Sequence, residues 1–75
     1  MRITYDPTAD AAYIYLREIE DGGVANTIPV DSTEGVSAGD VNLDFDAEGR
    51  LIGIEVLGAR STLPREALDE WRRGG

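Results

Sequence analysis

The sequence predicts a mainly β domain of the α+β class, a small antiparallel sheet of about five strands with a C-terminal helix. Two observations predict it: short segments that alternate between apolar and polar residues, separated by turn-forming residues, and one final segment with helical periodicity. At 75 residues the chain is expected to form one domain. We divide it into a β core over residues 1–59 and a C-terminal helix and tail over residues 60–75.

The first two predicted strands lie on either side of a turn. Arg2–Asp6 alternates, and Pro7 with its polar neighbours up to Asp10 is typical of a turn. In the second strand, Ala11–Arg17, one face carries Ala12, Ile14 and Leu16, and the other carries Tyr13, Tyr15 and Arg17. Because both faces carry bulky side chains, we expect both to be covered.

The third predicted strand, Val24–Val30, is placed at an edge of the sheet. Pro29 cannot donate a backbone hydrogen bond, so a central position would leave a gap in the ladder. The segment that follows, Asp31–Asp40, is polar and contains glycine, which predicts a long loop.

The fourth and fifth predicted strands, Val41–Asp46 and Arg50–Leu57, form a hairpin. Their apolar residues share one side only if residue 45 opposes 52, residue 43 opposes 54 and residue 41 opposes 56. That register requires a loop of two or four residues. It makes one face of the hairpin part of the core and leaves the other mostly acidic.

The final element, Leu63–Arg73, has the pattern of a helix. Ser61 or Thr62 is a candidate N-cap, Pro64 suits the first turn, and Gly74 suits the end. One apolar stripe runs along the segment and consists of Leu63, Ala67, Leu68 and Trp71. We expect this stripe to dock on a face of the sheet or on another subunit.

Charge and composition exclude several functional classes. Fifteen acidic residues against seven basic ones give a formal net charge of -8, which argues against binding to nucleic acid or anionic membranes. The absence of Cys and His excludes disulfides, Cys or His nucleophiles, Ser-His-Asp triads and the usual zinc sites. No segment approaches the roughly 20 apolar residues of a membrane-spanning helix, so we expect a cytoplasmic protein.

An acidic motif in the hairpin resembles a calcium-binding loop. From Asp44 to Glu55, acids and a glycine occupy EF-hand positions, yet the flanks alternate like strands and not like helices. The predicted register places Glu55 opposite Asn42, roughly 7 Å along the strand from Asp44, too far to close the loop. We therefore expect a solvated hairpin, with Asp44, Asp46 and Glu55 as weak metal-ligand candidates. Asp44 and Asp46 as an acid/base pair would need a pocket that the sequence does not indicate.

The residues Arg72–Gly75 end in Gly-Gly, as do ubiquitin and the small sulfur carriers. Those proteins place their main helix in mid-chain and end in a strand and a flexible tail. Here the predicted helix runs directly into Gly74, which favours a helix end over a Gly-Gly carrier.

Two blocks of the chain resemble a known family. The run Ile3–Pro7, continued by Ala9–Ala11 and Tyr13–Leu16, and the later run Val41–Leu57 resemble DUF2283, a family of small bacterial domains of unknown function. The resemblance implies a β-rich domain and no established activity or catalytic residue. Some members are encoded beside small toxin-like proteins, which implies an antitoxin-like or accessory role.

The resulting prediction is a non-enzymatic protein-interaction module without cofactor or catalytic residue. We expect a homodimer that also binds a basic protein encoded nearby, because acidic and basic surfaces attract. The candidate interaction residues are Tyr13, Tyr15, Leu51, Leu57 and Trp71. The alternatives are a metal- or small-ligand-binding domain that uses the acidic face of the Asp44–Glu55 hairpin, and a Gly-Gly-tailed carrier.

Overall fold

The structure, a computed structural model, describes residues 1–30 and 40–74, and side chains up to Arg72. Of the predicted Asp31–Asp40 loop, only Asp40 falls within these residues, and it begins a strand. Gly75, on which the carrier alternative depends, lies outside them.

The described residues form five strands followed by two helices, which confirms the predicted fold class. The strands are β1 (Arg2–Asp6), β2 (Ala11–Tyr15), β3 (Asn26–Val30), β4 (Asp40–Phe45) and β5 (Leu51–Leu57). The helices are α1 (Ala59–Thr62) and α2 (Arg65–Gly74). Among the described residues, no helix is long and apolar enough to cross a membrane.

All strand pairs in the sheet are antiparallel, and the strand order is β1-β2-β5-β4-β3. β5 therefore lies in the centre, between β2 and β4. β3 lies at an edge, as Pro29 predicts. β2 pairs with β5 and not with β3, so the N-terminal hairpin joins the rest of the sheet through the last strand of the chain.

The helices cover one face of the sheet. Tyr5, Ala12, Val56 and Val41 lie opposite one another across four strands and so share this face. The core there consists of Ala12, Val56, Ala59 and Leu68, each at most 5% exposed. Leu63 and Trp71 pack against this core, which confirms that the predicted apolar stripe docks, and places it on the sheet.

The link between β5 and α2 differs from the prediction, because it contains the short helix α1. Ser61 and Thr62 lie inside α1, where the Thr62 hydroxyl donates to the Gly58 carbonyl at 3.1 Å, and α2 begins only at Arg65. Gly58 turns the chain at a φ of 69°, and the backbone N–H of Ala59 then donates to the Asp10 carbonyl at 3.0 Å. These contacts fix the start of the helical segment against the β1–β2 turn.

The β4–β5 hairpin confirms most of the predicted register. Residue 43 opposes 54 and residue 41 opposes 56, but Phe45 opposes Leu51 and not Ile52. The loop is the reason: the Asp46 N–H donates to the Arg50 carbonyl at 2.9 Å, which leaves a loop of three residues, 47–49. An odd loop alone would turn the apolar residues of one strand to the other face, and a bulge after Asp44 restores the match.

Candidate functional site

Neither α1 nor α2 packs on the opposite face of the sheet, which we call the polar face. Strand alternation and pairing place these residues on it: Arg2, Thr4, Asp6, Ala11, Tyr13, Tyr15, Thr27, Pro29, Asp40, Asn42, Asp44, Gly53, Glu55 and Leu57. Four of them are acidic and one is basic, so this face carries a net negative charge.

A hydrogen-bonded group of three side chains lies at the centre of the polar face. The Tyr13 hydroxyl donates to Asp44 Oδ2 at 2.5 Å, and the Thr27 hydroxyl donates to Asp44 Oδ1 at 2.6 Å. Asp44 is only 9% exposed, so both its oxygens are satisfied by fixed donors. The three residues come from β2, β3 and β4, and the group therefore ties together strands that are far apart in sequence.

Gly53 makes this group possible. The Tyr13 side chain crosses over Gly53 of the central strand to reach Asp44, which pairs with Gly53 in the ladder. A Cβ at residue 53 would lie 2.6 Å from Tyr13 Cζ, closer than side chains pack. Gly53 is not among the site residues predicted from the sequence, although a glycine inside an apolar strand is a recognised signal of close approach.

The chemistry of this group is that of a fixed, neutral phenol. Burial, together with the hydrogen bond to Asp44 and its negative charge, raises the pKa of Tyr13 well above its usual range. Tyr13 therefore stays protonated and acts as a hydrogen-bond donor. The arrangement positions an aromatic ring and shields a carboxylate, and it does not provide a nucleophile.

A second group extends the polar face towards its β1 edge. The Tyr13 and Tyr15 ring centroids are 4.6 Å apart, at an angle of 51°. The Arg2 guanidinium lies 3.7 Å from the Tyr15 centroid, in cation–π geometry, and its Nε is 3.4 Å from Glu18. The rings and the guanidinium form a continuous surface beside the central group.

Glu55 completes the polar face next to Tyr13. It lies opposite Asn42, as the sequence predicts, and Asn42 Nδ2 donates to Glu55 Oε1 at 3.1 Å. Glu55 is half-buried and pairs with Tyr13 in the ladder on its other side. It is a carboxylate held in place by a neutral donor, and no arginine pairs with it among the described residues.

Asp46 belongs to a different site, the hairpin loop. It is 4% exposed and accepts the backbone N–H groups of Glu48 and Arg50, each at 2.9 Å. Arg17 Nη2 lies 2.9 Å from its other oxygen. The Arg50 N–H, followed by the Glu48 N–H and the Arg17 charge, outweighs burial and lowers the Asp46 pKa.

The remaining candidates are spread over the molecule. Asp44 and Glu55 share the polar face, but Asp46 caps the loop, and the described part of the chain contains no cluster of three metal-ligating side chains. Leu57 lies on the polar face, and Leu51 lies beyond the bulge; both are partly exposed. Trp71 packs against the core on the helical side, away from Tyr13 and Tyr15.

Comparison with known proteins identifies a family. The family model described as protein of unknown function, DUF2283, matches residues 2–60. No curated protein and no solved structure gives a significant match. The matched region contains Tyr13, Asp44 and Gly53 and ends before α2 begins. Since the match covers well over half of the chain, the protein belongs to the DUF2283 family.

Proposed function

We propose that this protein is an interaction module that binds a basic protein through the polar face of its sheet. One observation carries the proposal: neither helix of the described residues packs on this face, yet hydrogen bonds hold its central side chains in place, and it carries four acids against one arginine. An uncovered, ordered and charged sheet face is typical of a surface that a partner completes.

The side chains around Glu55 suit an arginine or lysine of the partner. Glu55 has no cationic partner among the residues that the structure describes, and Tyr13, whose ring contacts that of Tyr15, lies opposite it in the ladder. The Arg2 guanidinium already packs on the Tyr15 ring at 3.7 Å, which supports a preference of this aromatic surface for cations. A partner's basic side chain would contact both the carboxylate and a ring.

The group of Tyr13, Asp44 and Gly53 has a positioning role in this proposal. It holds the Tyr13 side chain over Gly53 of the central strand, so the partner meets a preformed surface and little side-chain freedom is lost on binding. The partner class is a basic protein; an antitoxin-like or accessory role would follow if that protein were a toxin encoded nearby.

The test uses a defined probe, an arginine-rich octapeptide titrated into ¹⁵N-labelled protein at low salt. We expect localised amide shifts in β2, β4 and β5. The double variant Asp40→Asn/Glu55→Gln should weaken binding, and the matched control Glu66→Gln/Glu70→Gln, which removes two exposed charges from α2, should not. Equal weakening by both variants, or shifts spread over the whole surface, would contradict the proposal.

Self-association is a second proposal, and β3 favours it. Ile28 is 52% exposed and Val30 is 49% exposed, on the helical side of an edge strand that contains no charged residue. Edge strands are commonly protected by charges, as β1 is by Arg2 and Asp6. Because the chain is strongly acidic elsewhere, two copies meet with least repulsion at this uncharged strand. Pro29 argues for side-chain packing and against a continuous ladder.

Native mass spectrometry across a concentration series tests the dimer. We expect a species of twice the 8.1 kDa mass that disappears in Ile28→Lys. Leu16→Lys, at a residue 43% exposed outside the strands, is the matched control and should leave the dimer intact. A protein that stays monomeric at hundreds of micromolar, or a dimer that survives Ile28→Lys, would refute this surface.

A further inference from the structure

A cleft between α2 and the β1–β2 turn differs in charge from the rest of the molecule. Its volume is about 250 Å³, and three arginines line it: Arg60, Arg65 and Arg72. Tyr5, Pro7 and Leu68 form an apolar wall, and Asp69 is the acid of the lining. Three of the chain's seven basic residues thus meet at one place in a protein of net charge -8.

The positive charge in this cleft is only partly compensated. Arg60 contacts Asp10, with Nε 3.3 Å from the carboxylate. Arg65 and Arg72 form no ion pair with any residue in the described ranges. They are seven residues apart on α2, so they lie two turns apart on the same side of the helix, with Asp69 between them. The cleft therefore has an excess of guanidinium groups.

We propose that this cleft binds the phosphate group of a small phosphomonoester. Guanidinium groups are planar donors that match phosphate oxygens in pairs, and a phosphomonoester carries a charge of about -1.5 to -2 near pH 7. With Arg60 paired to Asp10 and Asp69 counted against Arg65 and Arg72, the lining keeps an excess of one positive charge. The three terminal oxygens of a phosphate can accept from both Arg65 and Arg72 at once, whereas the two oxygens of a carboxylate match one guanidinium. The wall of Tyr5, Pro7 and Leu68 suits the small organic part of the ligand, which the cleft volume limits to a few heavy atoms.

This site is independent of the proposed function. The ligand has the opposite charge to the proposed basic partner, and the cleft lies on the helical side of the sheet. The arginines of α2 also lie beyond residues 2–60, so the cleft is built jointly by the family core and the following helix. Each proposal can fail without affecting the other.

The single tryptophan provides a direct readout. Trp71 lines a neighbouring cleft together with Tyr5, Pro7 and Arg72, three residues that also line the proposed site. We expect glycerol 3-phosphate, titrated at low ionic strength, to change Trp71 fluorescence with saturation, and glycerol to have no effect. A phosphoserine pentapeptide in place of glycerol 3-phosphate shows whether the phosphate of a protein side chain is also accepted.

Three variants decide the result. Arg65→Gln/Arg72→Gln should weaken glycerol 3-phosphate binding by about tenfold or more, because two charge-assisted contacts are lost. Asp69→Asn should tighten binding, because a repelling charge is removed. Arg50→Gln removes one positive charge at the exposed hairpin loop, away from the cleft, and should leave the affinity unchanged. No saturable change in the unaltered protein, or equal loss in Arg50→Gln, would overturn the proposal.

Discussion

The ring of Tyr13 occupies the space above Gly53 that a side chain would otherwise fill. Through this contact, β2 reaches across the central strand to Asp44 of β4. The two positions are thus coupled, since the path of the tyrosine requires the glycine.

Gly53→Ala should destabilise the protein by about 1–3 kcal/mol, the usual range for an overpacked site. The added methyl group would displace the Tyr13 ring and break its hydrogen bond to Asp44. Urea unfolding measures the loss. In a Tyr13→Ala background the same substitution should cost much less, and additive costs in the double-mutant cycle would show that the two residues are not coupled.

Tyr13→Phe should remove a pH dependence at the alkaline end. The folded protein raises the pKa of Tyr13 above that of tyrosine in the unfolded chain. The stabilisation by the Tyr13 hydroxyl is therefore complete below about pH 10, where unfolded tyrosine ionises, and is lost as the pH rises further. The stability gap between wild type and Tyr13→Phe, about 1.5–3 kcal/mol at neutral pH, should shrink above pH 10. Urea melts between pH 7 and pH 11.5 test this, and a constant gap would contradict it.

Asp46→Asn should remove a pH dependence at the acidic end. The folded state lowers the Asp46 pKa, so the stabilisation is complete above the unfolded value of about 3.9 and is lost as pH falls below it. In urea unfolding, wild type should have the larger free energy of unfolding at pH 7, and the free energies of the two proteins should become equal towards pH 2. Glu48→Gln changes an exposed acid in the same loop and serves as control. A gap that persists at pH 2 would show that the carboxylate charge is not responsible.

Gly49→Ala should cost about 1–2 kcal/mol for a reason unrelated to packing. Gly49 has a φ of 80°, which L residues adopt at a cost, while nothing lies within 4 Å of an added Cβ. Asparagine tolerates this conformation better, so Gly49→Asn should be the milder change in thermal unfolding. If Gly49→Ala and Gly49→Asn lower the stability equally, the backbone conformation of residue 49 does not determine the loss.

Leu68→Ala should weaken the docking of α2. Leu68 is 5% exposed and lies in the core with Ala12 and Val56, and truncating such a residue costs about 2–5 kcal/mol. In so small a domain we expect a large fall in melting temperature and a red shift of Trp71 emission. Unchanged emission and stability would mean that the helix does not depend on this contact. Glu70→Ala, at an exposed position of the same helix, is the control.

The sequence predicts local structure here better than long-range contacts. The five strands and the final helix follow from alternation, turn residues and helical spacing, and Pro29 identifies an edge. The hairpin register is predicted at residues 41 and 43 but not at 45, because the bulge depends on how Asp46 closes the loop. Hydrogen bonds of this kind leave no periodic signal in the sequence.

The candidate site shows the same limit. Asp44 and Asp46 are two residues apart and look like a pair, yet one faces the polar surface and the other binds loop amides. Asp44 instead binds Tyr13, 31 residues earlier, and that contact exists only because β2 pairs with β5. Strand order of this kind is fixed by the whole sheet, so a reading of neighbouring residues does not reveal it.

The position of β5 between β2 and β4 has a consequence for folding kinetics. β1–β2 and β3–β4–β5 each form from neighbouring segments, whereas the β2–β5 junction joins residue 15 to residue 53 and residue 11 to residue 57. Bringing residues so distant in sequence together costs conformational entropy before any stabilising contact forms, and this step is therefore slow. We therefore expect formation of the β2–β5 junction to limit the folding rate. Substitutions along this junction should slow refolding more than equally destabilising substitutions within β1–β2 or within β3–β4–β5.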